Sequence, residues 1–380
     1  AEVATSAFLF VDRARGGGPG DTTTERGAAT PPERTTGRAM YVVMSPAATE
    51  AEANGLKSAI LAEGLSPFDH VREGRPVVAV IGEIPSSRRA DLVARLGALP
   101  GVESIAQISR PFKLASREFH PEDTVIRVLD AAIGDGGLTV MAGPCSVESR
   151  DQLFETADAV KAAGATILRG GAFKPRTSPY SFQGLGVEAL RYLAEARERT
   201  GLPVITEVME PAQVDIVAEY SDILQIGTRN MQNYSLLRDV GRVQRPVMLK
   251  RGYGATIEEW LMAAEYIISS GNPNVILCER GIRTFETYTR NTLDLGTIPI
   301  IKRESHCPIV IDPSQGVGRS DLVTAMCKGA AAMGADALLI EVHPNPAEAW
   351  SDGAQQVTLE GFAKLMEELK PFVAASGREM

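Results

Sequence analysis

Cysteine is scarce in this 380-residue sequence, and long apolar runs are absent from it. No stretch of about 18 consecutive apolar residues occurs, so we expect no transmembrane helix. The N-terminus lacks a basic stretch followed by an apolar core, so we predict no secretory signal. The cysteines are too few and too scattered for a disulfide scaffold, which favours a reducing, cytoplasmic setting. They are Cys145, Cys278, Cys307 and Cys327.

The chain also has no excess of basic residues. It contains 39 Lys and Arg against 48 Asp and Glu, which gives a net charge of −9. This balance argues against a general affinity for nucleic acid or for an anionic membrane, although it leaves room for a local cationic pocket. Apolar residues make up 44% and charged residues 23%, as in ordinary soluble globular proteins.

The first 39 residues contain little that could form a core. Residues 13–38 hold six Gly, three Pro and six Thr but no large apolar side chain. Such a segment cannot bury enough apolar surface to offset the entropy that is lost on ordering. We therefore predict that residues 1–39 are a disordered N-terminal extension.

Residues 40–110 show the pattern of a small α+β domain. Two helix-like stretches alternate with four strand-like runs in the order β-α-β-β-α-β, which is typical of the ferredoxin-like fold. Thr49 and Glu52 form a T-x-x-E capping box at the start of the first helical stretch. We predict a ferredoxin-like module here, followed by a connector over residues 111–135.

Residues 136–380 contain eight short apolar runs separated by helix-length stretches. Apolar strands that alternate with helices indicate an α/β fold with a parallel sheet buried on both faces. Eight such units in this length fit a closed (β/α)8 TIM barrel better than an open sheet. The predicted strands are LTVMAG, ATILRGG, LPVITEV, DILQIG, PVMLKRG, NVILCERG, PIVIDPS and ALLIEVH.

Basic side chains follow these predicted strands at the points where the strands end. In an α/β barrel the carboxyl ends of the strands form the face that carries the chemistry. Guanidinium and ammonium groups bind phosphate and carboxylate, so their accumulation predicts a pocket for small molecules that bear both groups. The residues are Arg169, Lys174, Arg176, Arg229, Lys250, Arg251 and Arg280, with Thr177 beside Arg176.

A second group of polar residues lies at neighbouring strand ends. The thiol of Cys145 and the carboxylates of Glu341 and Asp352 could hold a divalent metal ion, with Gln315 or a nearby histidine as a fourth ligand. A simpler explanation makes Cys145 a small buried residue and pairs the two carboxylates with the basic side chains. Spacing alone leaves both interpretations open.

Several common catalytic motifs are missing. The stretch RGGAFKPRTSPYSFQGLG does not have the order of a P-loop, and no G-x-S-x-G or H-E-x-x-H motif occurs. His70 and His120 lie outside the predicted barrel strands, and we expect surface or structural roles for them. His306 and His343 adjoin barrel strands, where either could donate a proton or a hydrogen bond.

Taken together, the motifs resemble those of 3-deoxy-D-arabino-heptulosonate 7-phosphate (DAHP) synthases of the short bacterial type, which are related to 3-deoxy-octulosonate 8-phosphate synthases. The resemblance runs in order from about Met40 to Phe372, and residues 1–39 lie outside it. It is carried by GPCSVES, LRGGAFKPRTSPYSFQGLG, TEVM, QIGTRNMQN, LKRG, ILCERGIRTFE, SHCPIVIDPS and EVHPNPAEAWSDGAQ.

The resemblance implies an enzyme that condenses phosphoenolpyruvate with erythrose 4-phosphate in an aldol-like reaction and opens the shikimate pathway. It implies catalytic roles for Lys174, Glu207 and Asp352, with Glu207 near the phosphoenolpyruvate carbon that water attacks. Arg176 and Thr177 of the KPRT motif would position erythrose 4-phosphate. Phosphoenolpyruvate would be held by Arg169, Lys174, Arg229, Lys250 and Arg280.

The implied metal site departs from the family pattern at one position. Metal-dependent members carry histidine at the end of a D-P-S-H motif, whereas this chain has Gln315; Cys145, Glu341 and Asp352 are retained. A glutamine carbonyl suits a hard ion such as Mn²⁺ or Mg²⁺ better than Zn²⁺ or Cu²⁺. We therefore expect a divalent metal, Mn²⁺ or a similar ion, at a site in which Gln315 is an altered ligand.

Three functional hypotheses follow: an active DAHP synthase with an altered metal requirement, a paralogue that uses another phosphorylated aldose, and a catalytically weak barrel with a regulatory role. The intact KPRTSPY run favours erythrose 4-phosphate as the acceptor, and the intact basic residues argue against a binding-only protein. The resemblance also implies a homo-oligomer, and a module that binds tyrosine or phenylalanine and regulates the barrel. No nucleic-acid or membrane partner is expected.

Overall fold

The computed structural model of this chain describes residues 40–72, 75–107, 110–176 and 178–380. The predicted N-terminal extension, residues 1–39, lies outside the described residues. Within the described ranges, no helix is both long enough and apolar enough to cross a membrane.

The N-terminal module is a four-stranded antiparallel sheet with two helices, in the predicted ferredoxin-like topology. The predicted capping box is present: the amide N–H of Glu52 donates to Thr49 Oγ1, and the amide N–H of Thr49 donates to Glu52 Oε2. The strand order is β2-β3-β1-β4, with elements β1 (Met40–Met44), α1 (Glu50–Ala62), β2 (Ser66–Arg72), β3 (Arg75–Ile81), α2 (Ser86–Gly97) and β4 (Val102–Gln107).

A short hairpin closes the amino end of the barrel. Strands β5 (Ile126–Val128) and β6 (Ala131–Ile133) pair antiparallel inside the segment predicted as a connector. Their buried side chains belong to the same cluster as interior barrel residues such as Ile167, Ile205 and Ile223. Because these three residues lie at the starts of their strands, the hairpin fills the amino end and leaves the carboxyl end for the functional site.

Eight parallel strands form the predicted closed barrel, in which each strand pairs with the next along the chain. The last strand pairs with the first and closes the barrel. All residues of these strands are buried, which explains why their sequences are nearly continuous apolar runs. The strands are β7 (Thr139–Gly143), β8 (Ile167–Arg169), β9 (Val204–Val208), β10 (Ile223–Ile226), β11 (Val247–Lys250), β12 (Val275–Glu279), β13 (Ile309–Ile311) and β14 (Ala337–Glu341).

Helices surround the barrel and cover the outer faces of its strands. Their apolar residues and the outward-facing strand residues form one large buried cluster. The helices are α3 (Arg150–Ala162), α4 (Val187–Thr200), α5 (Val214–Tyr220), α6 (Tyr234–Val240), α7 (Ile257–Ser269), α8 (Thr297–Glu304), α9 (Pro313–Val317), α10 (Ser320–Ala332) and α11 (Leu359–Ala375).

The N-terminal module packs on the barrel near the barrel's amino end. Val77 and Ala79 of β3 belong to the barrel cluster, whereas the alternate residues of that strand pack against the module's own helices. On edge strand β2, His70 contacts His120, which in turn stacks on His306 just before β13. One face of the module's sheet therefore packs against its own helices, and the other face packs against the barrel.

Candidate active site

A polar cavity of about 240 Å³ lies at the carboxyl ends of the barrel strands. All the basic residues predicted at the strand ends line this cavity, apart from Arg251. The cavity wall also contains one basic residue that the sequence did not suggest, Arg290. Glu207, Gln315 and Asp352 line the same cavity, whereas Thr177 lies outside the described residues. The basic residues are Arg169, Lys174, Arg176, Arg229, Lys250, Arg280 and Arg290.

Arg169 ends β8 and pairs with Glu341 at the end of β14. Its Nη1 donates to Glu341 Oε1 at 3.1 Å and to the carbonyl oxygen of Pro144 at 2.7 Å. Strand β7, which ends just before Pro144, comes so close to Arg169 that position 143 must be glycine. A Cβ on Gly143 would lie 2.0 Å from the Arg169 carbonyl oxygen, and the φ of this residue is +152°. The sequence Gly-Pro-Cys thus fixes the Arg169 backbone beside the cavity.

Lys174, which follows β8 in a loop, reaches between Cys145 and Asp352. Its Nζ lies 2.8 Å from Cys145 Sγ and 3.8 Å from Asp352 Oδ2, and Sγ itself lies 3.3 Å from the same oxygen. Burial raises the pKa of the Cys145 thiol to about 12, and nearby Glu341 adds to this effect. Burial alone would lower the pKa of Lys174, but the negative groups around it outweigh burial and raise that pKa. The ammonium therefore stays charged at neutral pH.

Gln315 and Glu341 are joined directly. Gln315 Nε2 donates to Glu341 Oε1 at 2.9 Å, while Gln355 Nε2 donates to Glu341 Oε2 at 2.6 Å. On its other side, Gln315 Oε1 accepts from Arg280 Nη2 at 3.3 Å. Burial would raise the pKa of Glu341, but Arg169, Lys174 and the hydrogen bond from Gln355 together outweigh burial, and the pKa is lowered. Glu341 is therefore a buried, ionised carboxylate with several donors.

The residues predicted as metal ligands form two contacting pairs, Cys145 with Asp352 and Gln315 with Glu341. Their donor chemistry, a thiol with two carboxylates and an amide oxygen, fits a divalent ion. The donor atoms of Cys145, Glu341 and Asp352 nevertheless do not all lie within 4.8 Å of one another, and the Lys174 ammonium lies beside Cys145 and Asp352. Among the described residues, a different group meets this distance: His70, His120 and Glu122 each offer one donor atom, and these three atoms lie within 4.8 Å of one another.

Glu207, near the end of β9, directs a carboxylate into the cavity. Gln225 Nε2 donates to Glu207 Oε2 at 3.2 Å, whereas the buried Oε1 has no hydrogen-bond partner among the described residues. Burial raises the pKa of Glu207 and outweighs the opposing effect of nearby Lys174. Gly227 leaves room for this carboxylate, because a Cβ at position 227 would lie 1.9 Å from Glu207 Oε1 and would displace it. The raised pKa and the open oxygen suit a group that exchanges protons with a ligand.

One of the predicted strand-end charges, Arg251, serves the wall of the barrel instead of the cavity. Arg251 Nη1 donates to Glu279 Oε2 at 2.9 Å and to Asp294 Oδ2 at 3.1 Å, away from the cavity lining. Lys250, one residue earlier, does line the cavity, and its Nζ donates to Asp312 Oδ2 at 2.6 Å. Because successive strand residues face opposite sides, only one of the Lys250–Arg251 pair can face inward.

Tyr253 was not anticipated from the sequence, although it follows the strand-end Lys-Arg pair closely. Its ring faces three guanidinium groups, with centroid distances of 5.8 Å to Arg229, 4.8 Å to Arg280 and 4.5 Å to Arg283. A ring face attracts cations, so the ring holds neighbouring guanidinium groups beside one another. The sequence did contain one signal for Tyr253: it lies only three positions after Lys250, a predicted strand-end cation.

Arg290 was also missed, because it reaches the cavity from the long loop between β12 and α8. Its Nη1 donates to Gln355 Oε1 at 2.9 Å and to Asp352 Oδ1 at 3.2 Å. Burial would raise the pKa of Asp352, but Lys174 and Arg290 outweigh burial and lower it to about 2. Arg290 thus helps to keep Asp352 ionised.

The histidines do not line the cavity. His306 lies at the amino end of the barrel, where Nε2 donates to the Leu114 carbonyl and Nδ1 accepts from Thr124 Oγ1, each at 2.7 Å. Burial lowers the pKa of His306 to about 3, so the ring is neutral. His343 follows β14, and its Nε2 lies 3.3 Å from Glu148 Oε2. Neither ring is in place to donate a proton to a ligand in the cavity.

Comparisons with known proteins agree with this geometry. The model of the DAHP synthetase I family matches residues 113–375. The chain is 49% identical over 340 residues to phospho-2-dehydro-3-deoxyheptonate aldolase of Thermotoga maritima, covering 89% of this chain and 99% of that protein. It is 34% identical over 262 residues to 2-dehydro-3-deoxyphosphooctonate aldolase of Nitrobacter hamburgensis, covering 63% of this chain and 89% of that protein.

Solved structures give the same result. The crystal structure of the T. maritima DAHP synthase matches with a TM-score of 0.71 at 47% identity, covering 90% of this chain and 99% of that one. A truncated form of the T. maritima enzyme matches with a TM-score of 0.67 at 50% identity, covering 70% and 98%. The chain therefore belongs to the DAHP synthetase I family.

Proposed function

We propose that the chain catalyses the aldol-like condensation of phosphoenolpyruvate with erythrose 4-phosphate, which gives DAHP and phosphate and opens the shikimate pathway. The observation that carries this proposal is the gathering of seven basic side chains in one cavity of a protein with a net charge of −9. Two phosphorylated substrates repel each other, and such a cavity offsets the repulsion while it holds them in reacting positions.

Phosphoenolpyruvate presents a phosphate and a carboxylate, and five of the seven basic residues are assigned to it. Guanidinium groups bind such anions with two parallel hydrogen bonds, and ammonium groups act as point charges. The close arrangement of Arg229 and Arg280 against Tyr253 supports a joint role in holding one anionic group. The five residues are Arg169, Lys174, Arg229, Lys250 and Arg280.

The acceptor, erythrose 4-phosphate, is assigned to the KPRT segment. Arg176 lines the cavity, and its buried Nη1 has no hydrogen-bond partner among the described residues, which leaves it available to a phosphate oxygen. Thr177 is assigned on the sequence motif alone.

The reaction joins C3 of phosphoenolpyruvate to the aldehyde carbon. The aldehyde oxygen gains negative charge as this bond forms and takes up a proton, which we assign to the charged ammonium of Lys174. Water then adds to C2 and loses one proton, which leaves a hydroxyl on that carbon. As the bond between C2 and the phosphate oxygen breaks, this hydroxyl becomes the C2 carbonyl, and its proton leaves with the phosphate. Glu207 is our candidate base for that water, because Oε1 is open and the carboxylate pKa is raised. Asp352, 3.8 Å from Lys174 Nζ, would keep the ammonium in position.

A divalent ion such as Mn²⁺ would be held by Cys145, Glu341 and Asp352, with the amide oxygen of Gln315 in place of an imidazole. A bound ion lowers the pKa of a thiol ligand, so its binding would release the proton that Cys145 otherwise keeps. When bound, such an ion supplies Lewis acidity toward the aldehyde oxygen. Gln315 would have to turn its amide, since its Nε2 now donates to Glu341.

We also propose that the N-terminal module regulates the barrel, with tyrosine or phenylalanine as the effector, and that the chain acts as a homo-oligomer. The ordered packing of Val77 and Ala79 against the barrel cluster supports communication between the two parts. Assays of the full chain with each amino acid test this idea. If neither amino acid changes the rate or the apparent affinity for substrates, the regulatory assignment is wrong.

The first experiment follows the loss of phosphoenolpyruvate absorbance with erythrose 4-phosphate, in chelator and then with Mn²⁺. A five-carbon aldose phosphate serves as the second acceptor, because the octulosonate relatives make an eight-carbon product from the same three-carbon donor. We expect turnover with the four-carbon aldose that increases with Mn²⁺. Preference for the five-carbon aldose would favour the paralogue hypothesis, and no turnover with either would favour a regulatory role.

A further inference from the structure

Three of the four histidines of the chain lie together where the N-terminal module meets the barrel. The ring centroids of His70 and His120 are 4.2 Å apart, and those of His120 and His306 are 4.3 Å apart. A cavity of about 250 Å³ adjoins all three rings. This junction is at the amino end of the barrel, opposite the candidate active site, and the proposed reaction gives it no role.

The three rings differ in what their nitrogens contact. His306 is engaged at both nitrogens, by the Leu114 carbonyl and by the Thr124 hydroxyl, so it serves as a packing surface for His120. His120 Nδ1 lies 2.7 Å from the carbonyl oxygen of Glu122. A carbonyl oxygen can only accept, so Nδ1 carries the hydrogen and Nε2 keeps its lone pair. Histidines that ligate metals commonly use this arrangement, in which a backbone carbonyl fixes the tautomer.

A carboxylate completes the group. Glu122 Oε2 lies 3.9 Å from His70 Nε2 and 3.9 Å from His120 Nδ1, too far for a hydrogen bond to either. Because His120 Nδ1 already donates to the Glu122 carbonyl, an ion would bind His120 through Nε2. One donor atom from each of the three side chains lies within 4.8 Å of the other two. The packing of the rings does not explain why the Glu122 carboxylate faces both imidazoles at 3.9 Å.

We propose that His70, His120 and Glu122 bind a Zn²⁺ ion that links the N-terminal module to the amino end of the barrel. Two imidazoles and a carboxylate, with water as the fourth ligand, form a common zinc donor set. Tetrahedral bonds of about 2.0–2.1 Å place ligand atoms roughly 3.3 Å apart, so the group must contract by up to about 1.5 Å. The Glu122 side chain is 53% exposed and can move by this amount, and the adjoining cavity gives the rings room to turn.

The proposed ion would connect two parts of the chain. His70 belongs to edge strand β2 of the module, whereas His120 and Glu122 belong to the segment that leads into the barrel. An ion bound only in the folded state stabilises the junction by mass action. The site does not depend on the proposed synthase activity, and its test measures bound metal and thermal stability.

The test uses the full chain with Cys145→Ser, which weakens metal binding in the active-site cavity. Chelator-treated protein is dialysed against Zn²⁺, and bound zinc is measured by elemental analysis. We expect one saturable zinc ion per chain in this background. Adding Glu122→Gln or His120→Asn should weaken the binding at least about tenfold. Asp123→Asn is the matched control, because Asp123 is the neighbouring exposed carboxylate and pairs with Arg117.

Thermal unfolding gives an independent readout. Zinc should raise the Tm of the Cys145→Ser protein and of its Asp123→Asn derivative, and should not raise the Tm of the Glu122→Gln derivative. Circular dichroism checks that each variant is folded, and Glu122→Gln alters an exposed side chain that the core does not need. The proposal is overturned if the Cys145→Ser protein binds no saturable zinc, or if Glu122→Gln and His120→Asn both leave that binding unchanged.

Discussion

The ammonium of Lys174 lies 2.8 Å from the thiol sulfur of Cys145. Lys174 belongs to a loop after β8, and Cys145 follows β7, so the contact joins two neighbouring strand ends. The same ammonium lies 3.8 Å from Asp352, and the negative groups around it raise its pKa. One basic side chain thus contacts both the residues assigned to a metal ion and the cavity assigned to the substrates.

Replacement of Lys174 should therefore abolish turnover, with or without metal. Lys174→Ala removes the proposed proton donor and a positive charge at the phosphoenolpyruvate site, and we expect turnover to fall by about 10²–10⁴-fold. The measurement is phosphoenolpyruvate consumption in chelator and with Mn²⁺. Lys161→Ala, on the exposed side of α3, is the control. Turnover within about tenfold of the unaltered chain would exclude proton donation by Lys174 as an essential step.

Gln315 provides a test of the metal assignment. Gln315→His restores an imidazole beside Glu341, and a ligand of this type should raise the affinity for added divalent metal by about 10–100-fold if position 315 belongs to the metal shell. Metal content after dialysis and metal-stimulated turnover are both measured. Gln232→His, which adds the same ring at an exposed position, is the control. Unchanged affinity together with unchanged turnover would remove Gln315 from the shell.

Tyr253 should affect substrate binding more than chemistry. Tyr253→Leu removes the ring that faces Arg229 and Arg280. A cation–π contact is worth about 0.5–2 kcal/mol, so the KM for phosphoenolpyruvate should rise roughly 2- to 30-fold while kcat changes less. Tyr253→Phe keeps the ring and should behave like the unaltered chain. Tyr288→Leu, at an exposed loop position, is a second control. A drop in kcat with unchanged KM would contradict this role for the ring.

The sequence predicted the barrel well because its strands are buried on both faces. Every strand residue from β7 to β14 is buried, so the apolar runs stand out from the amphipathic helices between them. The hairpin of β5 and β6 was not predicted. Its strands have three residues each, too short for a recognisable period, and they are stabilised by contacts with Met141, Ile167 and other interior residues distant in sequence.

Residues of the candidate site were predictable from the sequence only where they lie at the ends of barrel strands. Arg169 and Lys250 end their strands, Arg280 follows its strand directly, and all three line the cavity. Arg290 comes from the middle of a long loop, and its position depends on contacts with Gln355 and other residues that no local pattern encodes. The contact between His70 and His120 could not be predicted for the same reason, because it depends on how the module packs against the barrel.

Glu265 of α7 anchors the segment between the two parts of the chain. Its Oε1 accepts from the Leu114 amide at 2.9 Å, and its Oε2 accepts from the Ala115 amide at 3.0 Å. Glu265→Gln replaces one acceptor by an NH₂ group that faces a backbone N–H. Because the lost hydrogen bond leaves buried donors unpaired, the free energy of unfolding should fall by about 1–3 kcal/mol.

This loss should also depend on pH. Burial raises the pKa of Glu265 above its ordinary value of 4.5, despite the opposing backbone hydrogen bonds. The folded chain therefore binds this proton more tightly than the unfolded chain does, and the stability that the proton adds is lost as pH rises through the native pKa. Glutamine does not titrate, so the destabilisation caused by Glu265→Gln should be larger near pH 4 than near pH 7. Urea unfolding at both pH values measures it, with Glu258→Gln on the exposed start of α7 as the control. A loss that grows with pH would mean that the ionised carboxylate is the more stable form in the folded chain.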